Sequence, residues 1–406
     1  MDIMKEALAI EELVIGWQQH FHVNAELSQK EEDTVAAILA HLNNLGIDCV
    51  NVPDGGVLGF IGGKKPGKTV LLRADIDALD MDESPVNEKF PKKVLSNRPG
   101  AAHTCGHDAH TAMLMGAAQI LKAHEEELEG KVVLFFERGE EHGEGDLHLM
   151  GYIQQHNIHV DGAWGLHMRP NLPSGTIGVR EGGINAASCS WFVKLQKQEG
   201  NPFTLSDCAV GVIHNMNTVR MRECSPYESL SITPCKVQMD GETCVVSGSC
   251  RFNEREKVGV PIHDVLENML KSTCAAYGYT PVGMKVVGPT RNMVNHPVAF
   301  RIAKDAVGAA IGEDRVVPGE LSLGGESFST LTSYYPSIMA HVGNRTPEKG
   351  MTAQLHSPFF EVDPDVLKYG VAATVAYALG FLAHKEPIEF TPFTGTIKEF
   401  YASLNV

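Results

Sequence analysis

Three runs in this 406-residue chain are apolar at nearly every position instead of every second one: Thr69-Val70-Leu71-Leu72-Arg73-Ala74-Asp75, Lys131-Val132-Val133-Leu134-Phe135-Phe136 and Ala163-Trp164-Gly165-Leu166-His167. A strand that is apolar on both sides has to be covered on both faces, so it belongs in a sheet between helices. A helical segment at 109–124 separates the first two runs, and a further strand-like run at 56–62 precedes them. Upstream, residues 4–47 read mostly as helix. Leu13, Trp17 and Phe21 recur every four residues with Val14 beside them. Val35, Ile38, Leu39 and Leu42 line one face of a second helix at 31–45, which Gly46 stops. The expected fold class is α/β, a mixed sheet with helices on both faces.

From about residue 183 the texture changes to short alternating strands (190–195, 229–238, 245–252) and two helical stretches (206–222, 262–277). The α/β pattern resumes with helices near 297–311 and 364–382. This predicts a discontinuous metal-binding catalytic domain, 1–183 and 296–406, carrying an inserted α+β domain at 184–295.

The formal charge is −16, with 50 acidic against 34 basic residues and no basic cluster. Such a chain repels a phosphate backbone, so no nucleic-acid partner is expected. No basic-then-apolar leader opens it, and the sequence reading finds no membrane-spanning run, so a cytoplasmic protein is expected. The nine cysteines are scattered without paired spacing and are expected to be thiols. His214 and His341 read as structural. Residues 62–69 spell Gly-Gly-Lys-Lys-Pro-Gly-Lys-Thr, a phosphate-loop pattern. That loop needs a helix starting at its Lys-Thr, whereas here a strand starts, and Pro66 lacks an N–H. A hairpin turn is expected instead of a nucleotide site.

The densest chemical signal is His103-Thr104-Cys105-Gly106-His107-Asp108-Ala109-His110, three imidazoles, a thiol and a carboxylate where a loop enters a helix. Thiolate and imidazole suit zinc and its neighbours in the first transition row, and Asp108 can accept a ring N–H behind a ligand. The strand ending at Phe136 runs into Glu140-Glu141. If the chain stays extended, the two acids point opposite ways, one to metal and one toward substrate as a general base. His167 after a third apolar strand and His356 in a turn complete four separated sites.

Together these residues resemble the metallo-aminoacylase and carboxypeptidase family that includes hippurate hydrolase, the auxin–amino-acid conjugate hydrolases and N-acetyl-diaminopimelate deacetylase. The resemblance spans nearly the whole chain. It rests on residues 22–34, Leu72 through Leu79, the Cys105 cluster, Glu140-Glu141, Gly165-Leu166-His167, Ile184-Asn185-Ala186-Ala187, Gly325-Glu326-Ser327-Phe328 and Leu355-His356-Ser357-Pro358. It implies metal ligands Cys105, His107, Glu141, His167 and His356, with Cys105 able to bridge two divalent ions. These would be manganese or zinc, with cobalt or nickel also used in the family. It implies Glu140 as general base, a small-molecule substrate, and a homodimer formed through the inserted lid domain. Asp75, Asp108, His110, Asn201 and Glu326 are expected near substrate or behind the ligands.

Two departures stand out. The lid histidine that helps stabilise the family's oxyanion is replaced by Asn201, and the segment that commonly meets a substrate carboxylate has no clear counterpart in 240–246. Three functions follow: hydrolysis of an N-acyl amino acid or similar amide; displacement of an amino group from an activated aromatic ring, of the nitroanthranilate type; or a catalytically silent binding protein.

Overall fold

The computed structural model describes every residue except 143–144, 224, 226–227, 289 and 405–406. In chain order the helices and strands are α1 (Ile3–Ala9), α2 (Glu11–Val23), α3 (Glu32–Asn44), β1 (Asp48–Val52), β2 (Gly56–Gly62), β3 (Lys65–Asp75), α4 (His107–Ala123), β4 (Glu129–Glu137), α5 (Gly145–Gln155), β5 (Gly162–Pro173), β6 (Ile177–Val179), β7 (Gly182–Asn185), β8 (Ala187–Gln196), α6 (Leu205–Glu223), β9 (Leu230–Met239), β10 (Thr243–Phe252), α7 (Val260–Ala276), β11 (Gly283–Val287), β12 (Met293–Asn295), α8 (Pro297–Ile311), β13 (Val316–Pro318), α9 (Ser329–Tyr334), β14 (Ser337–Arg345), α10 (Leu367–Ala383) and α11 (Ile397–Ser403).

Two compact units result. The first comprises Met1–Gly182, Val294–Glu320 and Thr330–Ile397. The second comprises Gly183–Met293 with Leu321–Ser329 and the chain from Lys398 onward. Those last two segments therefore belong to the second unit and not, as their place in the sequence suggests, to the large domain. Each is tied to the insert locally: Ser322 exchanges backbone hydrogen bonds with Ile184 and Ala186, and Arg255 donates to the Ser403 carbonyl.

The first unit holds an eight-stranded mixed sheet in the order β1-β2-β4-β3-β5-β14-β6-β13. Its middle strands β4, β3, β5 and β14 run parallel, as their continuous apolar runs require. Val132, Leu134, Phe136, Leu166, Ile338 and Ala340 enter one large core with α4 and α10. Val133, Phe135 and Ala163 on the other face are fully buried as well. The expectation of a hairpin at 63–68 fails: β2 and β3 do not pair with each other but flank β4 on either side. Glycine permits this crossing, because a Cβ on Gly63 would lie 2.2 Å from the Leu128 carbonyl oxygen. No helix starts at Lys68-Thr69, which lie within β3.

The first-helix stripe also needs correction, since Val14 and Phe21 are buried but Leu13 is 44% exposed. Helix Pro364–Ala383 is long and apolar enough to cross a membrane by length and composition, which the sequence reading passed over. Of its most apolar window 72% is buried, and it packs against α4 and α8 as a core helix.

The second unit is an antiparallel sheet, β11-β8-β10-β9, backed by α6 and α7. Strict alternation along β8 and β10 sends Trp191, Val193, Val246 and Phe252 into its core. The eight described cysteines are all free thiols.

Asn295 braces the first unit, its amide donating to the Arg180 and Met339 carbonyls and its oxygen accepting from the Met339 N–H. Asn295→Ala leaves those buried groups unmet and should cost about 1–3 kcal/mol, read as a lower urea midpoint for this unit.

Candidate metal centre

The sheet delivers its polar residues at one edge. β3 and β4 end level with each other, Asp75 opposite Glu137, and His167 lies two residues past the last β3–β5 pair, Arg73 with Gly165. Ligands of open α/β sheets gather at this carboxyl edge. The Cys105 loop enters α4 here through Gly106, whose φ is +87° and whose added Cβ would sit 2.7 Å from Met168 Cγ. Only glycine lets Cys105 and His107 turn toward one point at that spot. The loop carrying His356 is tied to it by the His356 N–H donating to the Thr104 carbonyl at 2.9 Å, and His356 itself is held at φ +61°.

Five side chains from four separated stretches of the chain converge. Cys105 Sγ lies 3.6 Å from His167 Nε2 and 3.3 Å from His356 Nε2. Glu141 Oε1 lies 3.1 Å from His356 Nε2 and 4.0 Å from His107 Nε2. Cys105, His107 and His167 offer donor atoms all within 4.8 Å of one another, as do Cys105, Glu141 and His356, and again His107, Glu140 and Glu141.

The residues present fit a metal. His107 is fully buried, its Nδ1 sits 3.0 Å from Asp77 Oδ1, and its Nε2 has no hydrogen-bond partner among the described residues. A buried ring nitrogen facing sulfur and carboxylate oxygen, with its other nitrogen held by an acid, is the arrangement of a ligating histidine. His167 is oriented likewise, its Nδ1 against the Met168 carbonyl. The mixed S, N, O donor set suits zinc and neighbouring transition ions better than calcium or magnesium.

The chain matches the profile of "Peptidase family M20/M25/M40" over residues 71–380. It belongs to that family. IAA-amino acid hydrolase ILR1-like 4 of Arabidopsis thaliana is 31% identical over 390 residues, covering 91% of this chain and 86% of that protein. N-acetyl-L-cysteine deacetylase of Bacillus subtilis is 29% identical, covering 87% and 84%. A Bacillus subtilis crystal structure described as a dinuclear metal binding peptidase from the M20 family superposes with a TM-score of 0.76 at 26% identity, covering 92% and 98%. The chain is thus a metal-dependent amidohydrolase of the M20 family.

Within this M20 centre some expected residues stand elsewhere. Asp108 backs no candidate ligand; it accepts from His22 at 2.8 Å and from Gln18 at 2.7 Å. The acid behind His107 is Asp77, fixed by Ser28 Oγ and the Glu141 N–H. The sequence reading did not single it out, although Asp75 and Asp77 stand two apart after an apolar strand and so share a face. Asp75 accepts from Arg73 at 2.7 Å and from His110 at 2.6 Å. His110 uses its other nitrogen to accept the Met168 N–H, so both ring nitrogens are engaged. Glu140 and Glu141 do not alternate as in a strand, because the chain has already turned at Gly139, and both reach toward His107. Glu31, buried, holds that turn through Arg138 and the Gly139 N–H.

In the second unit, Asn201 donates to the Tyr277 carbonyl and accepts from the Phe203 N–H, so its amide is committed locally. Glu326 accepts from the Phe328 N–H.

Charge shapes the centre. Burial alone disfavours the His107 imidazolium, but Asp75, Cys105 and Asp77 outweigh it and hold the ring well above its ordinary range. Burial pushes the Cys105 thiol up. Both groups therefore release protons when they ligate.

Behind the centre, burial opposes a charged His22, yet its bonds to Asp108 and Glu83 raise it to about 9. Glu83, opposed by its own burial, is drawn down to about 2 by His22, Ser96 and Lys92. A raised histidine stabilises fully below its unfolded value of 6.5, and that contribution disappears as pH rises through about 9. The lowered Glu83 stabilises above 4.5 and loses its contribution as pH falls through about 2. His22→Gln should therefore lower stability by about 3 kcal/mol near pH 6, with a much smaller loss near pH 10, as followed by denaturant unfolding.

Proposed function

We propose that this protein hydrolyses the amide of an N-acyl amino acid or a similar small conjugate. The observation that carries the reading is the pair of adjacent acids, each with an oxygen within 4.8 Å of His107, of which Glu141 alone also joins Cys105 and His356. Glu141 is then the ligand and Glu140 the base. Cys105, shared between the His167 set and the His356 set, would bridge two ions, manganese or zinc being the expected pair. Bound metal would act as a Lewis acid, polarising the substrate carbonyl and making water a better nucleophile.

The chain's own residues do the rest. Glu140 takes the proton of the attacking water and delivers it to the departing nitrogen. Asp77 and the Met168 carbonyl hold His107 and His167 in one tautomer, so their ligating nitrogens stay lone-pair donors. The relatives are named for amide substrates of amino acids, which supports the same bond class here.

One observation favours a second reading. By the resemblance Asn201 takes the place of an oxyanion-stabilising histidine, and its amide is already engaged by the Tyr277 carbonyl and the Phe203 N–H. A centre without that donor would suit displacement of an amino group from an activated aromatic ring, with ammonia as the product. We also infer a homodimer through the second unit, supported by its edge strand β9, where Val237 and Met239 are 46% and 43% exposed. Sedimentation of wild type as a single-chain species would remove that inference.

Chelator treatment should abolish turnover of N-acyl amino acids, with recovery on adding manganese or zinc. Glu140→Gln should keep its metal by elemental analysis while kcat drops by about 10²–10⁴-fold. Normal turnover by this variant, or ammonia in place of a free amino acid as the product, overturns the amide reading.

A further inference from the structure

His110 stands among the candidate ligands, yet both of its ring nitrogens are already bonded. It lies one turn beyond His107 on α4, is 2% exposed, and its ring centroid is 4.7 Å from that of His167. Asp75, His107 and His110 offer donor atoms within 4.8 Å of one another, a spacing that by itself would suit a further ion. The hydrogen bonds argue against one. The Met168 N–H donates to His110 Nε2 at 2.8 Å, so that lone pair is used and the ring proton lies on Nδ1, 2.6 Å from Asp75 Oδ1. Asp75 in turn accepts from Arg73 at 2.7 Å.

Strand register explains why an imidazole is needed at this spot. β3 pairs with β5 from Val70 to Arg73, opposite Gly162 to Gly165, but stays paired with β4 as far as Asp75. β5 runs on to Pro173 alongside β14. The two strands therefore part at the carboxyl edge. His110 spans the opening, holding the end of β3 through Asp75 and the continuing β5 through Met168. It meets a buried backbone N–H that would otherwise be costly to leave unpaired.

Met168 passes the effect to a ligand. Its carbonyl lies 2.8 Å from His167 Nδ1, which leaves His167 Nε2 facing Cys105 Sγ at 3.6 Å. Its side chain packs at Gly106, between Cys105 and His107, where an added Cβ would lie 2.7 Å from Met168 Cγ.

We propose that His110 is a positioning residue for His167: by tying Met168 to Asp75 it aims the His167 ring toward Cys105 and His107, where an ion would bind. This rests on the two-ion reading and holds whichever C–N bond is cut. Loss of such support behind a ligand weakens metal binding about 10–100-fold.

The test strips the full-length protein with chelator and titrates it with cobalt(II). Bound metal is read by equilibrium dialysis and by the near-ultraviolet sulfur-to-cobalt absorption of Cys105. Asn and Gln divide the two contacts of the imidazole. The Asn amide reaches the Nδ1 position and can serve Asp75; the Gln amide reaches the Nε2 position and can accept the Met168 N–H. His110→Asn should weaken one of the two ions about 10–100-fold and leave the other as in wild type, and His110→Gln should recover most of the loss. In a His167→Ala background, His110→Asn should change cobalt affinity by less than about twofold, because the ring it aims is gone. Independently of either variant, 15N-histidine spectra of wild type should show His110 protonated at Nδ1 both before and after zinc is added.

Wild-type affinity in His110→Asn would overturn the proposal. So would a loss that persists in the His167→Ala background, or a His110 ring that gives up its proton to zinc. Wild type that takes up no cobalt would remove the two-ion reading itself and this role with it. The Asn–Gln contrast in a protein that releases ammonia in place of an amino acid would sink the amide reading alone and leave the role of His110 standing.

Discussion

Four carboxylates, Asp75, Asp77, Asp108 and Glu137, are each no more than 1% exposed at one edge of a single sheet, and the rest of the centre is organised around that fact. Buried anions are tolerated only when paired and hydrogen-bonded. Arg73, itself buried, answers Asp75 and Glu137 together at 2.7 and 2.8 Å. His107, His110 and His22 answer the remainder. His107 and His110 are each held by an acid at one nitrogen, and His22 at both. For His107 this leaves a second nitrogen directed at the ligand cluster, and there divalent cations would complete the charge balance. The acidic excess of the chain has a local counterpart here.

Much of this was legible in the sequence because it follows from short-range rules. The continuous apolar runs of β3, β4 and β5 announced a sheet covered by helices on both faces, and the short alternating strands of the insert announced a separate α+β unit. The Cys105 cluster and Glu140-Glu141 were legible because ligand-type residues are dense where a loop meets a helix or strand end. Asp108 was misread because proximity in sequence was taken for proximity in space; on α4 it faces α2 and His22 instead. Asp77 was passed over although its two-residue spacing from Asp75 was in plain view. The hairpin at 63–68 failed for a different reason. Which strand comes to lie between β2 and β3 is decided by β4, some 60 residues further on, and no local pattern encodes it.

His110 shows what a sequence cannot disclose by residue type alone. A histidine inside a ligand-rich cluster reads as one more group near substrate or behind the ligands. Only strand register shows that β3 and β5 part beside it, and only the Met168 N–H reveals which nitrogen bears hydrogen.

Cys105 and His356 stand 251 residues apart in the chain yet touch. Ions held between them would act as a clasp on a very large loop, and closing such a loop is costly mainly at the first encounter and only weakly dependent on its length. The ligand pocket therefore cannot exist in a half-made molecule. β5 must have joined β3, and the His356 turn must have settled against Thr104, before the sulfur has its neighbours. Cation uptake would then come last during maturation, and an occupied centre would certify that the distant parts of the chain have found one another.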